Sequence, residues 1–374
     1  MNNKVFKKIE RFLIFFIVVL LAITITFLVI YSMNPKRLQD NIAVVYKKCV
    51  DISEDLKASL LEKVGGQSQQ SVYDNLEFPD EEKLTEAQKY YYYQQLSETG
   101  KKIYLSIENN IEKIKNGEDN ISLPPSLNED AKSKENGKEY IAQEFQSAWD
   151  AFITDRSEYF YIDSSKVCLV SKITTKGSTA NYEFFIGKGN NENYFIEEFK
   201  TKAEVDKALK RIDEQKKEIL SNATGNNFEK IKYVHNWLVD NVKYDTTNGE
   251  NASNIYGCLV NKNVVCEGYA RTFKYLMDEL QIPCVLVSGK ATDEEGHSER
   301  HAWNYVYLKN NWFAIDTTWD DPIIIGKGKV DENIKYKYFL RGSKTMDKDH
   351  TINGQVTKNG FVFKYPTLSE EDIN

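Results

Sequence analysis

The chain has 374 residues, of which 41% are hydrophobic and 28% are charged, a balance typical of a globular protein with room for one large or two ordinary domains. Its net charge of -7 argues against nucleic acid as the main partner, because binding to phosphates requires a basic surface. Five cysteines without a C-x-x-C pair argue against a disulfide framework and a zinc ribbon.

The first predicted element is a membrane-spanning helix over residues 12–31. The segment is apolar and uncharged, and about 20 such residues are enough to cross a bilayer. Four basic residues precede it within residues 1–11 and two follow it at 36–37, which predicts a cytoplasmic N-terminus and an extracellular remainder. A cleaved signal peptide is disfavoured because no A-x-A-like site follows. Residues 1–34 are therefore predicted to form a cytoplasmic tail and a transmembrane anchor.

Two helical patterns follow the anchor, at about 38–56 and about 81–114, and predict a helical stalk or hairpin. Residues 116–138 contain a proline pair, two glycines and many charges, a composition typical of a linker. The predicted organisation is a stalk and linker over 35–135 and a second domain over 136–374.

The second domain begins with a predicted helix through Phe145 and Trp149, followed by strands near 167–173 and 182–186. A capping-box pair, Thr201 and Glu204, predicts the start of the next helix. Another amphipathic helix is predicted over about 228–242.

Cys266 stands out among the cysteines because the pattern after it predicts a helix that begins at or just after this residue and ends before Pro283. Free backbone N–H groups and the helix dipole favour a thiolate there, and the same groups could donate to an oxyanion. Gly268 is interpreted as keeping the helix start open to a substrate. Cys284 lies in an apolar run that predicts a buried strand, and the loop residue Cys258 fits either role.

Only four histidines are available as a general base. His235 lies within an amphipathic helix and His350 in a charged loop near the C-terminus, and neither context indicates catalysis. His297 and His301 form H-x-x-x-H, but the zinc pattern requires Glu after the first His, where Ser298 stands. No metal is therefore expected, and His301, at the head of a strand predicted over 302–308, is the favoured base.

A hairpin with Asn310 and Asn311 as its turn is predicted to follow His301. In that register His301 and Asp316 share a face but lie about 13 Å apart along the strand, whereas Asp320 lies opposite His301. Spacing alone leaves both carboxylates as candidates for the residue that orients the base.

Three motifs, V-C-E-G-Y-A at 265–270, H-A-W-N at 301–304 and D-T-T-W-D-D-P at 316–322, occur in this order. Over roughly residues 140–345 the chain resembles the transglutaminase-like superfamily, especially its bacterial extracellular members. The resemblance implies an α+β, papain-like fold with a helix packed on an antiparallel sheet. It also implies Cys266 as nucleophile, His301 as general base and Asp316, rather than Asp320, as the residue that orients His301.

The resemblance carries further expectations about the cleft. Trp303, Tyr269 and Trp319 are candidates to line it, although core packing accounts for each equally well, and Tyr256 is a candidate second oxyanion donor. No calcium-loop pattern is found, and no cofactor is expected.

The expected function is acyl transfer on protein amides by a membrane-anchored extracellular enzyme, through cross-linking, deamidation or peptide hydrolysis. The substrate would be a protein or peptide, including one associated with the cell wall. A catalytically silent cell-surface binding or scaffold module with the same fold is the alternative. An unreactive Cys266 would favour that alternative.

Overall fold

A computed structural model of the chain describes residues 90–176, 179–321, 332–352, 355–356 and 362–373. These residues all belong to one compact unit, Pro79–Asn374. The predicted membrane segment 12–31 and the predicted stalk up to residue 89 lie outside the described residues. Within the part of the chain that is described, no helix is both long and apolar enough to cross a membrane.

The segment predicted as a linker, 116–138, differs from a linker in the structure. It follows helices α1 (Glu98–Asn109) and α2 (Ile111–Lys115), contains strand β1 (Ile121–Ser122) and helix α3 (Leu127–Lys132), and leads into helix α4 (Gly137–Asp155). Apolar side chains spaced between its charges, including Ile121, Leu123 and Leu127, are buried in the same hydrophobic core as α4. The proline pair precedes α3, a position that proline tolerates. The helix predicted to run to residue 114 also divides at Asn110, between α1 and α2.

A small antiparallel sheet and two long helices come next. Strands β2 (Cys168–Lys176) and β3 (Thr179–Gly187) form a hairpin, and β1 pairs with β3 to give the order β1-β3-β2. Helices α5 (Lys202–Asn222) and α6 (Asn227–Asn241) follow, as predicted. Each begins with a capping box, in which the N-cap side chain and a glutamate three residues later satisfy otherwise free backbone N–H groups.

The remaining elements surround the nucleophile candidate. Strand β4 (Lys243–Tyr244) pairs in parallel with β5 (Asn263–Val264), which leads directly into helix α7 (Cys266–Glu279). The elements after α7 are β6 (Cys284–Thr292), β7 (Ser298–Leu308), β8 (Asn311–Ile315), α8 (Glu332–Lys335), α9 (Ser343–Met346), β9 (His350–Ile352), β10 (Gln355–Val356) and β11 (Val362–Phe363).

The main sheet has the strand order β8-β7-β6-β9, and every pair in it is antiparallel. Helix α7 packs on β6 and β7 and buries Tyr269, Phe273 and Leu276 in a cluster that also contains Val306 and Ile315. Such a cluster joins the apolar stripe of a helix to one face of a sheet. The mixed helix and sheet core expected from the sequence is confirmed.

The β7–β8 hairpin turns one residue earlier than predicted. Its turn consists of Lys309 and Asn310, so that Leu308 pairs with Asn311. Both turn residues have positive φ, 49° and 62°, as a type I′ turn requires. Positive φ is uncommon for a lysine, so the turn could not be placed there from the sequence. Extending this register past the end of β8 places Asp316 two residues from His301, about 7 Å along the strand rather than about 13 Å.

Candidate active site

Cys266 is the first residue of α7, as predicted, and Val265 is its N-cap. The thiol is partly buried and packs against a small cluster that contains Ala270, Leu286 and Ala302. The carbonyl of Val265 accepts from the N–H groups of residues 268 and 269. The two earlier N–H groups of the turn, at residues 266 and 267, have no partner within the helix, because an α-helix leaves its first donors free.

Gly268 has a different role from the one predicted. It is buried, and a Cβ atom there would lie 2.5 Å from Cβ of Val264 and 2.6 Å from the carbonyl oxygen of Ala252. Glycine is therefore required because the helix start packs closely against β5 and the loop before it. It does not open the helix to a substrate.

His301 and Asp316 form a direct hydrogen bond in the interior. Nε2 of His301 lies 2.6 Å from Oδ2 of Asp316, and both side chains are almost completely inaccessible to solvent. His301 comes from the middle of the main sheet, on β7, and Asp316 directly follows β8. The edge-to-centre pairing of these two strands brings the base and the carboxylate together.

The carboxylate of Asp316 accepts four hydrogen bonds. Oδ2 accepts from His301 and, at 3.0 Å, from Nε2 of His350, while Oδ1 accepts from the backbone N–H groups of Thr318 and Trp319. Burial alone would raise the pKa of Asp316, but His301 and then His350 outweigh it and hold the pKa well below its usual range. The acid is therefore ionised although it is buried.

The thiol of Cys266 also interacts with the His301 ring. Burial opposes a charge on His301, but Asp316 and then Cys266 outweigh it and raise the pKa of the imidazole well above its ordinary value. Nδ1 of His301 is buried and forms no hydrogen bond of standard geometry with any described residue. The thiol is thus near enough to interact with the ring without a well-formed hydrogen bond, a looseness common in active sites before substrate binds.

Asp320, the other candidate for the residue that orients His301, belongs to a second buried pair. Its Oδ2 lies 3.0 Å from Nε2 of His235, and its Oδ1 accepts from the backbone N–H of Tyr338. The structure therefore pairs His301 with Asp316 and places His235, inside α6, in a buried contact with Asp320.

Residues 213–317 match the sequence model of the Transglutaminase-like superfamily, and the match contains Cys266, His301 and Asp316. The chain carries a transglutaminase-like domain. This agrees with the resemblance given by the three sequence motifs.

The kyphoscoliosis peptidases of Mus musculus and Homo sapiens are similar to the chain, at 28% identity over 123 residues and 27% over 124 residues. Each match covers 30% of this chain but only 18% and 19% of the two peptidases. A crystal structure of a TGase aligns at 17% identity over 47% of this chain and 50% of that chain, with a TM-score of 0.29. The periplasmic domain of TgpA from Pseudomonas aeruginosa aligns at 13% identity over 38% and 55% of the two chains, with a TM-score of 0.23.

The aromatic residues predicted to line the cleft of the transglutaminase-like domain fall into two groups. Tyr269 and Trp303 are buried in the core, and the hydroxyl of Tyr269 donates to the carboxylate of Asp321. Trp319 is partly exposed, and its ring centre lies 5.6 Å from that of His301. Core packing therefore accounts for Tyr269. Trp303 is buried too, but its ring stacks on that of His301 at 6.0 Å, so Trp303 and Trp319 both border the candidate site.

Tyr256, the predicted second oxyanion donor, has other partners. Its hydroxyl accepts from Arg211, and its ring packs against Phe160 and Phe199. Tyr244 instead lies close to the nucleophile candidate: burial and then the charge of Cys266 raise the pKa of Tyr244 to about 12. Sequence reasoning missed Tyr244, although it lies on β4, which pairs with the strand that leads into Cys266.

His350 was also missed. It lies on β9 at the edge of the main sheet, and its ligand atom, with those of His301 and Asp316, falls within a group spanning 4.8 Å. Two histidines and a carboxylate could hold a metal ion. In the structure, however, both Nε2 atoms are hydrogen-bonded to the same carboxylate oxygen, so a metal would have to replace the bond that orients His301. His297, from the H-x-x-x-H pattern, is largely exposed and is outside this group.

A cavity of about 430 Å³ lies beside α7, on the face that carries Arg271. Arg156, Ser157 and Asn251 also line it, but Cys266, His301 and Asp316 do not. This cavity is therefore separate from the candidate chemistry.

Proposed function

We propose that the protein is a cell-surface transglutaminase-like enzyme that uses Cys266 for acyl transfer on protein amides. The observation that carries this proposal is the buried His301–Asp316 hydrogen bond, together with a Cys266 thiol close enough to interact with the imidazole. A nucleophile, a base and a residue that orients the base are the three parts that covalent acyl transfer requires. The match of residues 213–317 to the transglutaminase-like superfamily supports the same chemistry.

In the proposed reaction the Cys266 thiolate attacks the carbonyl carbon of a side-chain amide or a peptide bond. The C–S bond forms, and the negative charge on the former carbonyl oxygen is stabilised by the free N–H groups at the start of α7. Protonated His301 then gives its proton to the leaving ammonia or amine as the C–N bond breaks, which leaves a thioester. An acceptor amine or water next attacks the thioester and returns a proton to His301 as the thiolate leaves.

The two acceptors give different products from one thioester. An amine gives an isopeptide cross-link, whereas water gives deamidation of a side chain or hydrolysis of a peptide bond. The substrate we propose is a protein or peptide outside the cell, including one associated with the cell wall. The support for this location is the apolar segment 12–31 with its excess of basic residues on the N-terminal side.

The test is to incubate the full-length protein with a fluorescent primary amine and a Gln-rich protein, alongside Cys266→Ala and Cys168→Ala. Cys168 is the matched control, because it is the other described free cysteine that is only partly buried. We expect amine incorporation, ammonia release or peptide cleavage in the wild type and in Cys168→Ala, and none in Cys266→Ala. Incorporation indicates transfer to amines, and cleavage without incorporation indicates a peptidase.

Equal activity of Cys266→Ala and the wild type would exclude Cys266 as the nucleophile. No reaction in any of the three proteins, together with a Cys266 thiol that resists alkylation, would favour the binding or scaffold module instead.

A further inference from the structure

His350 is a second histidine that contacts Asp316, at the same carboxylate oxygen as His301. His350 is the first residue of β9 and pairs with Ala291 of β6. The backbone carbonyl of the preceding residue, Asp349, accepts a hydrogen bond from the N–H of Thr292. These contacts fix the backbone of His350 to the main sheet. Its side chain is almost completely buried.

Both ring nitrogens of His350 face carboxylates. Nε2 lies 3.0 Å from Oδ2 of Asp316, and Nδ1 lies 2.6 Å from Oδ1 of Asp349. A carboxylate oxygen accepts hydrogen bonds, so Nε2 of His350 is placed to donate to Asp316 and Nδ1 is placed to donate to Asp349. The His350 ring is thus held between two acids.

Aromatic rings hold the His350 side chain on several sides. The ring centres of Trp319, Trp303 and Tyr338 lie 4.7, 5.0 and 5.2 Å from that of His350. Their packing limits the rotation of the imidazole. The His350 ring is therefore a fixed donor toward Asp316.

The geometry at Asp316 makes this donor important for His301. Oδ2 of Asp316 accepts hydrogen bonds from both imidazoles, and Oδ1 accepts from two backbone N–H groups. Rotation of the carboxylate would therefore break hydrogen bonds at both oxygens. The titratable groups that face Asp316 or its two histidines are Cys266, Tyr244, Asp320, Tyr338 and Asp349. Among the causes that keep Asp316 ionised, His350 follows His301.

We propose that His350 is a positioning residue that fixes the carboxylate of Asp316 for His301, so that the hydrogen-bonded series of His301, Asp316 and His350 supports Cys266. This inference rests on the proposed function, in which His301 serves Cys266. The role assigned to His350 is indirect, because it touches Asp316 and not the reacting atoms.

Two isosteric variants separate the two bonds of His350. His350→Gln can place its amide near the position of Nε2 and keep a donor for Asp316, whereas His350→Asn can place its amide near Nδ1 and keep only the contact with Asp349. The first measurement is the rate of Cys266 alkylation by iodoacetamide as a function of pH in the full-length protein, read from the Cys266 peptide by mass spectrometry. The second is kcat and KM for the reaction found with the wild type.

We expect His350→Asn to move the midpoint of Cys266 alkylation upward by about one pH unit, because a poorly held Asp316 stabilises the thiolate–imidazolium pair less well. We expect its kcat to fall about 10–100-fold with little change in KM, as is typical when a residue that supports a site from outside is lost. His350→Gln should restore the midpoint and bring kcat to within about 3-fold of the wild type.

The same substitutions at His235 are the matched control, since His235 makes a buried bond of 3.0 Å to a different acid, Asp320. They should leave the alkylation midpoint unchanged. Equal midpoints for His350→Asn, His350→Gln and the wild type, with all three folded by circular dichroism, would overturn the proposal. A wild-type midpoint that moves when a chelator is added would overturn it in favour of a bound metal. Because alkylation needs no substrate, these results stand even if no acyl-transfer activity is found.

Discussion

The transglutaminase-like domain contains two buried His–Asp pairs whose acids are only four positions apart in sequence. His301 bonds to Asp316 at 2.6 Å, and His235 bonds to Asp320 at 3.0 Å. All four side chains are shielded from solvent. The two pairs have the same chemistry and nearly the same burial, yet among the described residues a thiol interacts only with the first pair.

The surroundings of the two acids differ, and so do their pKa values. Asp316 accepts from two imidazoles and two backbone N–H groups, which outweigh burial and keep its pKa well below the usual range. For Asp320, burial prevails over the bonds from His235 and the N–H of Tyr338, and its pKa rises to about 6. A buried His–Asp pair is therefore not in itself an indication of catalysis. Two features distinguish the pairs: Asp316 accepts four hydrogen bonds and Asp320 accepts two, and His301 also interacts with the thiol of Cys266.

The largest expected effect comes from removing each acid in turn. Asp316→Asn should lower kcat about 10³–10⁴-fold, because an amide cannot stabilise the imidazolium and can hold His301 in the wrong tautomer. Asp320→Asn should change kcat far less, since it pairs with His235 and not with His301. The measurement is the rate of amine incorporation or cleavage under saturating substrate.

Thermal unfolding of both variants controls for loss of structure. A loss of activity in Asp320→Asn as large as that in Asp316→Asn, with both proteins folded, would contradict the distinction between the two pairs.

The pH dependence of stability should separate the acids by sign. Asp320 has a folded pKa of about 6, above its unfolded value, so the folded state binds more protons and stability falls as pH rises from about 4 to 6. Asp320→Asn should remove up to about 3 kcal/mol of this fall, at roughly 1.4 kcal/mol per pKa unit. Asp316 has a lowered pKa, so the stability it contributes is present above about pH 4 and is lost as pH falls further.

Urea unfolding between pH 3 and pH 7, followed by tryptophan fluorescence, measures both contributions, because all five tryptophans lie between residues 149 and 319. A stability profile of Asp320→Asn parallel to that of the wild type would contradict the raised pKa of Asp320.

The sequence predicted the parts of the site that depend on local structure. Cys266 at a helix start follows from helical periodicity, and His301 followed from the contexts of the other histidines. The choice between Asp316 and Asp320 could not be made from the residues, because a turn one position earlier moves a pairing register by two residues. A positive φ at Lys309 is a property of the folded hairpin and not of the local sequence.

His350 and the segment 116–138 were misjudged for a related reason. His350 reaches Asp316 because β9 pairs with β6, and the sequence around His350 does not predict this long-range pairing. Segment 116–138 has the composition of a linker, but it also contains a few apolar residues that are buried against the rest of the domain. The structure of segment 116–138 is therefore decided by its contacts in space and not by its composition.

The smallest expected effect concerns Tyr338, which connects the two pairs. Its N–H donates to Asp320, its carbonyl accepts from the N–H of Asp316, and its hydroxyl donates to Asp349 at 2.7 Å. Tyr338→Phe removes only the last bond, which should cost about 1 kcal/mol of unfolding free energy. Since the backbone bonds and the His350–Asp349 contact remain, kcat should change by less than about 3-fold, and the Cys266 alkylation midpoint should not move.

The control for Tyr338→Phe is Tyr104→Phe, because the hydroxyl of Tyr104 is buried without a hydrogen-bond partner among the described residues. Its removal should leave stability unchanged or increase it, since a buried polar group without a partner carries a desolvation cost. If Tyr338→Phe instead moved the alkylation midpoint as far as His350→Asn, the functional series would have to extend through Asp349 to the tyrosine. The two His–Asp pairs would then be coupled through side chains as well as through the backbone of Tyr338.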